Sequence, residues 1–200
     1  MIQTSPKVLL FDLGGVVLPW VGPEALAASH DLTRAQIIDR FEDSDIFNAY
    51  EHGEVENDVF TAELANIFDL GDVDVAALWN SWVHPPFAGV MDALADLKSH
   101  YTLACLSNTN ALHWAHVNTM IDIGQVFHHA FASHEIHIAK PDPQSYLIPL
   151  RDMGVSADDV WFFEDTKVNI DAAREIGLTV YPVDRTLGVI PVLKRLGLMS

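Results

Sequence analysis

Apolar residues occur along the chain in short, nearly continuous segments that are separated by longer stretches of mixed character. Segments of this kind are typical of strands buried on both faces of a parallel sheet. Four of them cover 8–11, 103–106, 160–163 and 179–181, and a weaker one covers 130–132. Between them, apolar positions at helical spacing predict helices over 89–99, 111–121, 143–153, 168–176 and 187–196. The alternation predicts an α/β fold with a doubly wound parallel sheet.

Residues 22–84 interrupt this alternation. Helical patterns cover 23–29, 33–41, 56–68 and 73–82, with no convincing strand between them, and Pro85-Pro86 closes the segment. We therefore predict an all-helical insertion after the first strand. The predicted division is a core of residues 1–18 and 86–200 and a helical domain of residues 19–85.

Polar residues follow directly after the predicted strands. In open α/β sheets, ligands bind beyond the carboxyl ends of the strands. Two carboxylates there can hold a divalent cation, while an ammonium group, a hydroxyl and backbone N–H groups can bind phosphate oxygens. The residues at these ends are Asp12 with Gly14-Gly15, Ser107-Asn108, Lys140 in a longer loop, and Glu164-Asp165.

The charge of the chain restricts its partners. There are 28 Asp and Glu residues against 11 Lys and Arg residues, a formal net charge of −17. Such a surface repels phosphate backbones and anionic lipids, so we expect neither a nucleic-acid partner nor a membrane partner. A single cysteine, Cys105, fits a reducing compartment. With no leader pattern and no apolar stretch of the ~18 residues that a membrane span needs, we expect a cytoplasmic protein.

At the strand ends the sequence resembles the haloacid dehalogenase-like superfamily, in its subclass with a helical cap inserted after the first motif. Four motifs occur in order and span most of the chain. The first two are similar to those of small sugar-phosphate phosphatases that read Asp-Leu-Gly-Asn and Ser-Asn-Thr-Asn. The resemblance implies a Rossmann-like three-layer core with a cap domain. The matching segments are 11–17 (FDLGGVV), 106–110 (LSNTN), 140–142 (KPD) and 162–165 (FFED) followed by Asn169-Ile170.

The resemblance also implies a reaction. Asp12 would attack the phosphorus of a small phosphorylated metabolite, such as a sugar phosphate, and form an aspartyl-phosphate that water hydrolyses. Mg²⁺ would be held by the Asp12 carboxylate, the backbone carbonyl of Gly14, and Asp165. The phosphoryl oxygens would be bound by Ser107, Asn108 and Lys140.

The chain departs from the family pattern at two positions. Most phosphatases of the family carry a second Asp two residues after the nucleophile, whereas this chain has Gly14. General acid–base help is typically worth ~10²–10⁴-fold in rate. The sequence leaves open whether Glu164 or a residue of the helical insertion replaces it. The last acidic position of the fourth motif is Asn169, so this motif offers one carboxylate fewer for a metal at that position than a full motif does.

Several further residues are candidates for supporting roles. Besides Glu164 and Asn169, His113 follows the second motif closely, and Trp20 lies where the insertion begins, so either can face the pocket. Residues 51–54 (EHGE) form the polar turn of the insertion that is best suited to reach the substrate. His134 and His137 are three residues apart in a predicted loop, and this spacing does not match the zinc-protease motif.

Two other functions remain open at this point. A 2-haloacid dehalogenase would also lack the second Asp and would need an arginine early in the cap, where the chain offers Arg34 and Arg40. A catalytically weakened binding or regulatory module would retain ligand binding with slow or no turnover. Assays with phosphorylated metabolites and 2-haloacids would distinguish the three. The sequence determines neither the substrate nor the oligomeric state.

Overall fold

Five parallel strands form one sheet at the centre of the molecule. The computed structural model describes residues 5–30, 32–42 and 44–199. The strand order is β3-β2-β1-β4-β5, and the predicted α/β class is confirmed. The strands are β1 (Val8–Phe11), β2 (Thr102–Ser107), β3 (His129–Ala132), β4 (Val160–Glu164) and β5 (Thr179–Pro182).

The central strand explains why the apolar segments are continuous. Every residue of β1 is buried, and Leu9 pairs with Leu103 of β2 on one side and with Trp161 of β4 on the other. Leu9 and Phe11 belong to one apolar cluster, while Val8 and Leu10 belong to a second. Because successive side chains point to opposite faces, the two clusters cover the two faces of the sheet.

Helices of the alternating part pack on the sheet close to their predicted positions. The short helices α8 and α9 were missed, and α9 forms where the sequence predicted a loop around His134. Four residues are too few to show helical periodicity in a sequence. The helices are α6 (Val90–Leu97), α7 (Ala111–Met120), α8 (Ile123–Val126), α9 (Ser133–Ile136), α10 (Pro143–Met153), α11 (Lys167–Glu175) and α12 (Ile190–Arg195), with a 3₁₀ turn at Ala157–Asp159.

The segment between β1 and α6 is helical and has an apolar cluster of its own. Phe60, Trp79 and Trp82 are buried within it, in contact through their rings. The described residues of this segment include α3, a helix that the sequence did not predict. The helices are α1 (Pro23–His30), α2 (Arg34–Glu42), α3 (Ile46–Glu51), α4 (Asn57–Phe68) and α5 (Val75–Asn80).

The helices can also be compared with the thickness of a bilayer. Within the described ranges, no helix combines the length and the apolar character that crossing a membrane requires.

Candidate active site

A cavity of about 390 Å³ opens at the carboxyl ends of the strands, against the helical segment. It brings together nearly all the residues predicted from the strand ends. The exceptions are Glu164, whose side chain is fully buried, and Gly15, neither of which lines the cavity. The predicted residues that line the cavity are Asp12, Gly14, Trp20, Ser107, Asn108, His113, Lys140, Asp165 and Asn169.

Lys140 connects two carboxylates at the base of the cavity. Its Nζ lies 3.0 Å from Asp12 Oδ1 and 2.7 Å from Glu164 Oε2. Burial alone would lower the pKa of Lys140, but the two carboxylates outweigh this effect and raise it. Lys140 is therefore a permanent positive charge beside Asp12.

Glu164 is a structural partner of Lys140. Its side chain is fully buried, and its Oε1 accepts hydrogen bonds from the backbone N–H groups of Asp165 (3.1 Å) and Thr166 (3.0 Å). Burial opposes its ionisation, but Lys140 and these hydrogen bonds lower its pKa below the ordinary value. With both oxygens engaged, Glu164 cannot stand in for the carboxylate that is missing at Gly14.

Asp12 is positioned by the sheet itself. Its backbone N–H donates to the carbonyl of Phe163 at 3.0 Å, which continues the pairing of β1 with β4 beyond the end of β1. Burial, reinforced by Glu164 and Asp165, raises the pKa of Asp12 to about 7 despite Lys140. A metal ion bound here would lower this pKa again, so a proton and a cation compete for the Asp12 carboxylate.

Carboxylate oxygens of Asp12, Glu164 and Asp165 lie within 4.8 Å of one another. Burial and Glu164 raise the pKa of Asp165 to about 6. Since Glu164 is committed to Lys140, the groups available to a metal are the carboxylates of Asp12 and Asp165, together with the nearby backbone. Oxygen donors of this kind suit a hard divalent cation such as Mg²⁺.

Arg185 was not predicted as a site residue. Its Nε lies 3.5 Å from Asp165 Oδ2, and its guanidinium carbon lies 5.8 Å from the ring centroid of Trp20. It also lines the cavity. Arg185 follows β5, so extending the strand-end argument to the fifth strand would have found it. Gly15 is required next to this pair because its φ is +76° and a Cβ would meet the Asp165 carboxylate.

The side-chain amide of Asn108 is hydrogen-bonded to the backbone of Lys140 and so holds that loop in place. Its Nδ2 donates to the Lys140 carbonyl at 2.7 Å, and its Oδ1 accepts from the Lys140 N–H at 2.8 Å. The Ser107 hydroxyl has only a long contact of 3.5 Å, to the carbonyl of Asn108. Ser107 is therefore the freer of the two side chains for a ligand.

His113 faces the cavity but is engaged by the helical segment. Its Nε2 contacts the carbonyl of Trp79 at 2.9 Å, and its ring stacks on the Trp79 indole at 4.7 Å. Burial lowers its pKa to about 4, so the ring is neutral near pH 7. Asn169 also lines the cavity, while its backbone carbonyl accepts a hydrogen bond from Tyr146.

The helical segment contributes a carboxylate to the cavity. Glu51, the last residue of α3, lines it together with Asp12 and Lys140. Burial raises the pKa of Glu51 to about 7, and the positive charge of Lys140 offsets this only in part. Glu54 of the same turn is exposed and does not line the cavity.

Comparison with known proteins relates this site to an enzyme family. A family model described as haloacid dehalogenase-like hydrolase matches residues 6–177. The chain is 23% identical over 186 residues to the D-ribitol-5-phosphate phosphatase of Bacteroides thetaiotaomicron, covering 88% of this chain and 90% of that protein. It is 25% identical over 198 residues to a sesquiterpene phosphatase of Aspergillus oryzae, covering 96% of this chain and 97% of the relative.

A solved structure extends the similarity to the fold. A HAD family enzyme of Bacteroides thetaiotaomicron, in complex with magnesium and inorganic phosphate, has a TM-score of 0.77 and 26% sequence identity. The match covers 89% of this chain and 94% of the other.

Proposed function

The chain belongs to the haloacid dehalogenase-like hydrolases, and we propose that it is a magnesium-dependent phosphatase of a small phosphorylated metabolite. The observation that carries the proposal is the arrangement around Asp12. A buried lysine lies on one side at 3.0 Å, and a second carboxylate, Asp165, lies within 4.8 Å. A cation held by these carboxylates would, together with the lysine, supply the positive charge that a phosphoryl group requires.

The proposed reaction has two steps. A carboxylate oxygen of Asp12 attacks phosphorus, and the bond from phosphorus to the leaving oxygen breaks. Water then attacks the same phosphorus, and the Asp12–phosphorus bond breaks to release inorganic phosphate and free Asp12. Lys140 and Ser107 would hold the phosphoryl oxygens, and Asn108 would hold Lys140 in place.

We further propose that Mg²⁺ is bound by Asp12, Asp165 and the backbone carbonyl of Gly14. When bound, the ion neutralises charge on the transferring phosphoryl group. Mg²⁺ would leave Lys140 as the fixed positive charge on the other side of Asp12. The magnesium and phosphate in the related structure support this assignment.

The proposed division of labour follows the chain. Residues 1–18 and 86–200 would form the catalytic core, and residues 19–85 would form a cap that excludes water and selects the substrate. The helical segment contributes the apolar side chains of Trp20, Trp79 and Val83 to the cavity, together with the Glu51 carboxylate. A sugar phosphate or another phosphorylated metabolite of similar size suits a cavity of about 390 Å³.

The positions of two cap arginines disfavour a dehalogenase. Arg34 pairs with Glu24 on an exposed surface, and Arg40 donates to the carbonyl of Ile67. Neither lines the cavity, so neither is placed to bind the carboxylate of a 2-haloacid there.

A substrate panel tests the proposed function. Purified protein is incubated with D-ribitol 5-phosphate, several sugar phosphates, p-nitrophenyl phosphate and 2-chloropropionate, with excess Mg²⁺ or with EDTA. We expect phosphate release that EDTA abolishes and Mg²⁺ restores, without chloride release. Full activity in EDTA, chloride release, or phosphate binding without turnover would overturn the proposal.

A further inference from the structure

We propose that Glu51 is the general acid and base of the reaction, in place of the carboxylate that Gly14 lacks. This inference rests on the proposed phosphatase function and identifies the group that moves protons in it. It is supported by the carboxylates available in the cavity, by the way the cap turn is anchored, and by the chemistry that each step requires.

The carboxylates that face the cavity limit the choice of the proton-transfer group. Within the described residues these are Asp12, Glu51 and Asp165. Asp12 is the proposed nucleophile, and Asp165 is a proposed metal ligand that also accepts a hydrogen bond from the Thr166 hydroxyl. The Glu51 carboxylate has no hydrogen bond or ion pair within the described ranges, so it is free to act on a ligand.

Glu51 is anchored by its neighbours in sequence. The Tyr50 hydroxyl accepts a hydrogen bond from the N–H of Leu112 in α7 at 3.2 Å and donates one to Asn57 at 2.7 Å. The His52 carbonyl accepts a hydrogen bond from His137 Nδ1 at 2.8 Å. Both residues that flank Glu51 are therefore tied to the core.

Gly53 allows this close approach. Its φ is +69°, and a Cβ would collide with the backbone carbonyl of His134. The end of α3 thus lies directly against the core helix α9, and Glu51 is held over the strand ends. A cap that did not contact the core could not hold a carboxyl group at a fixed place in the cavity that Asp12 also lines.

Each of the two steps requires a proton transfer. In the first, the Glu51 carboxyl gives its proton to the leaving oxygen as the bond from that oxygen to phosphorus breaks. In the second, the resulting carboxylate takes a proton from the water that attacks phosphorus, which restores the protonated carboxyl group. A carboxyl group with a pKa near the operating pH can do both, and the pKa of Glu51 is raised to about 7 by burial.

The surroundings of Gly14 are consistent with a proton-transfer group that comes from another part of the chain. A Cβ at Gly14 would lie 3.4 Å from the Cβ of Trp20, in ordinary contact. Trp20 thus borders the space that a side chain at this position would enter. Glu51, by contrast, already lines the cavity.

The test compares Glu51→Gln with two matched variants. Glu54→Gln makes the same change on the same turn, outside the cavity, and Asp12→Asn removes the nucleophile. p-Nitrophenyl phosphate, whose leaving group needs no proton, is followed in a rapid-mixing experiment with Mg²⁺. D-Ribitol 5-phosphate, with a poor alkoxide leaving group, is followed at steady state.

We expect Glu51→Gln to release about one equivalent of p-nitrophenol per site in a burst and then to turn over about 10²-fold more slowly than the wild type. Its kcat/KM should fall less than about 10-fold for the aryl ester and at least about 10²-fold for D-ribitol 5-phosphate. A substrate-binding role alone would produce no burst. Absence of a burst, or rates equal to those of Glu54→Gln, would overturn the inference.

Failure of this inference can be told from failure of the proposed function. If the wild type hydrolyses neither phosphate ester, or if Asp12→Asn remains active, the phosphatase proposal itself is wrong. If the wild type is active, Asp12→Asn is inactive and Glu51→Gln behaves like Glu54→Gln, only the role of Glu51 is wrong.

Discussion

At the scale of single residues, one buried lysine serves two carboxylates. Lys140 contacts both Asp12 and Glu164, and Asp165 lies close by. The described cluster therefore carries more negative than positive charge. Burial is the largest cause that raises the pKa of Asp12 to about 7 and that of Asp165 to about 6, and the neighbouring carboxylates add to it. This imbalance is what a divalent cation would relieve.

Removing the Asp12 charge should therefore separate activity from stability. For Asp12→Asn we expect turnover to fall on the order of 10⁴-fold or more, as for loss of other nucleophiles. Because the raised pKa means that the ionised carboxylate is disfavoured in the folded state, the variant should unfold at equal or higher urea concentration than the wild type at pH 8 without metal. A marked loss of stability would contradict this reading of the cluster.

Removing Lys140 should have the opposite effect on stability. Lys140→Met leaves Asp12 and Glu164 buried without their cation, and breaking a buried pair typically costs about 3–5 kcal/mol. We expect that loss in the free energy of unfolding at pH 8, together with weaker competitive inhibition by inorganic phosphate. The double variant Lys140→Met/Glu164→Gln, which removes one of the stranded charges, should recover part of the stability. Wild-type stability in Lys140→Met would rule out this account.

At the scale of elements, the junction between α5 and α7 joins the helical segment to the part of the chain that forms the sheet. Asn110 caps α7 by accepting a hydrogen bond from the His113 N–H at 3.0 Å. The same oxygen accepts a hydrogen bond from the Trp79 indole at 3.2 Å. The His113 ring in turn contacts the Trp79 carbonyl. One helix start therefore fixes both the second motif and the end of α5.

This junction should make the protein sensitive to acid. The pKa of His113 is lowered to about 4, so the folded state binds fewer protons than the unfolded state below the ordinary value of 6.5. The part of the free energy of unfolding that depends on a neutral His113 is fully present above pH 6.5 and is lost as the pH falls toward 4. Between pH 7 and pH 5 this amounts to about 2 kcal/mol.

Urea unfolding at pH 7 and pH 5 measures the effect. His113→Asn loses the contact with the Trp79 carbonyl but no longer titrates, so its deficit relative to the wild type should shrink at pH 5. His100→Asn, at an exposed position, is the control and should leave the pH dependence unchanged. A deficit that is the same at both pH values would show that His113 does not cause the acid sensitivity.

The elements also show what a sequence reveals. The prediction of helix 143–153 coincides with α10, where Pro143 stands at the start and Gly154 follows the end. α3 was missed because six residues barely exceed one turn. The strand-end residues were predicted because each buried strand appears in the sequence as an apolar segment, and the polar residues that follow it mark its end. The pairing of Glu164 with Lys140 was not predictable, because it depends on how the end of β4 meets a loop 24 residues earlier in the chain.

At the scale of the whole molecule, the sheet order places the first strand between β2 and β4. The loop after β1 thereby lies between the end of β2, where Ser107 stands, and the loop after β4 that carries Asp165. The anionic cluster is set in a chain whose net charge is −17, so a bound cation also reduces the overall self-repulsion. Metal binding should for both reasons be visible as a change in stability.

Magnesium should stabilise the protein more at high pH than at low pH. The raised pKa values of Asp12 and Asp165 mean that their stabilising contribution without metal falls as the pH rises from about 4 through about 7. Mg²⁺ binds the ionised carboxylates and competes with protons. We expect the rise in Tm caused by Mg²⁺, relative to EDTA, to be larger at pH 8 than at pH 5. An equal rise at both pH values, or an undiminished rise in Asp165→Asn, would contradict the proposed site.

The central claim, covalent transfer to Asp12, can be tested without knowing the substrate. In the reverse of the second step, inorganic phosphate phosphorylates Asp12 and releases one of its oxygens as water. Phosphate labelled with ¹⁸O should therefore lose its label to unlabelled water, which ³¹P NMR detects. We predict loss of label that requires both the wild-type enzyme and Mg²⁺ and is absent in Asp12→Asn. Retention of the label at phosphate concentrations that inhibit the enzyme, or equal loss in Asp12→Asn, would contradict the claim.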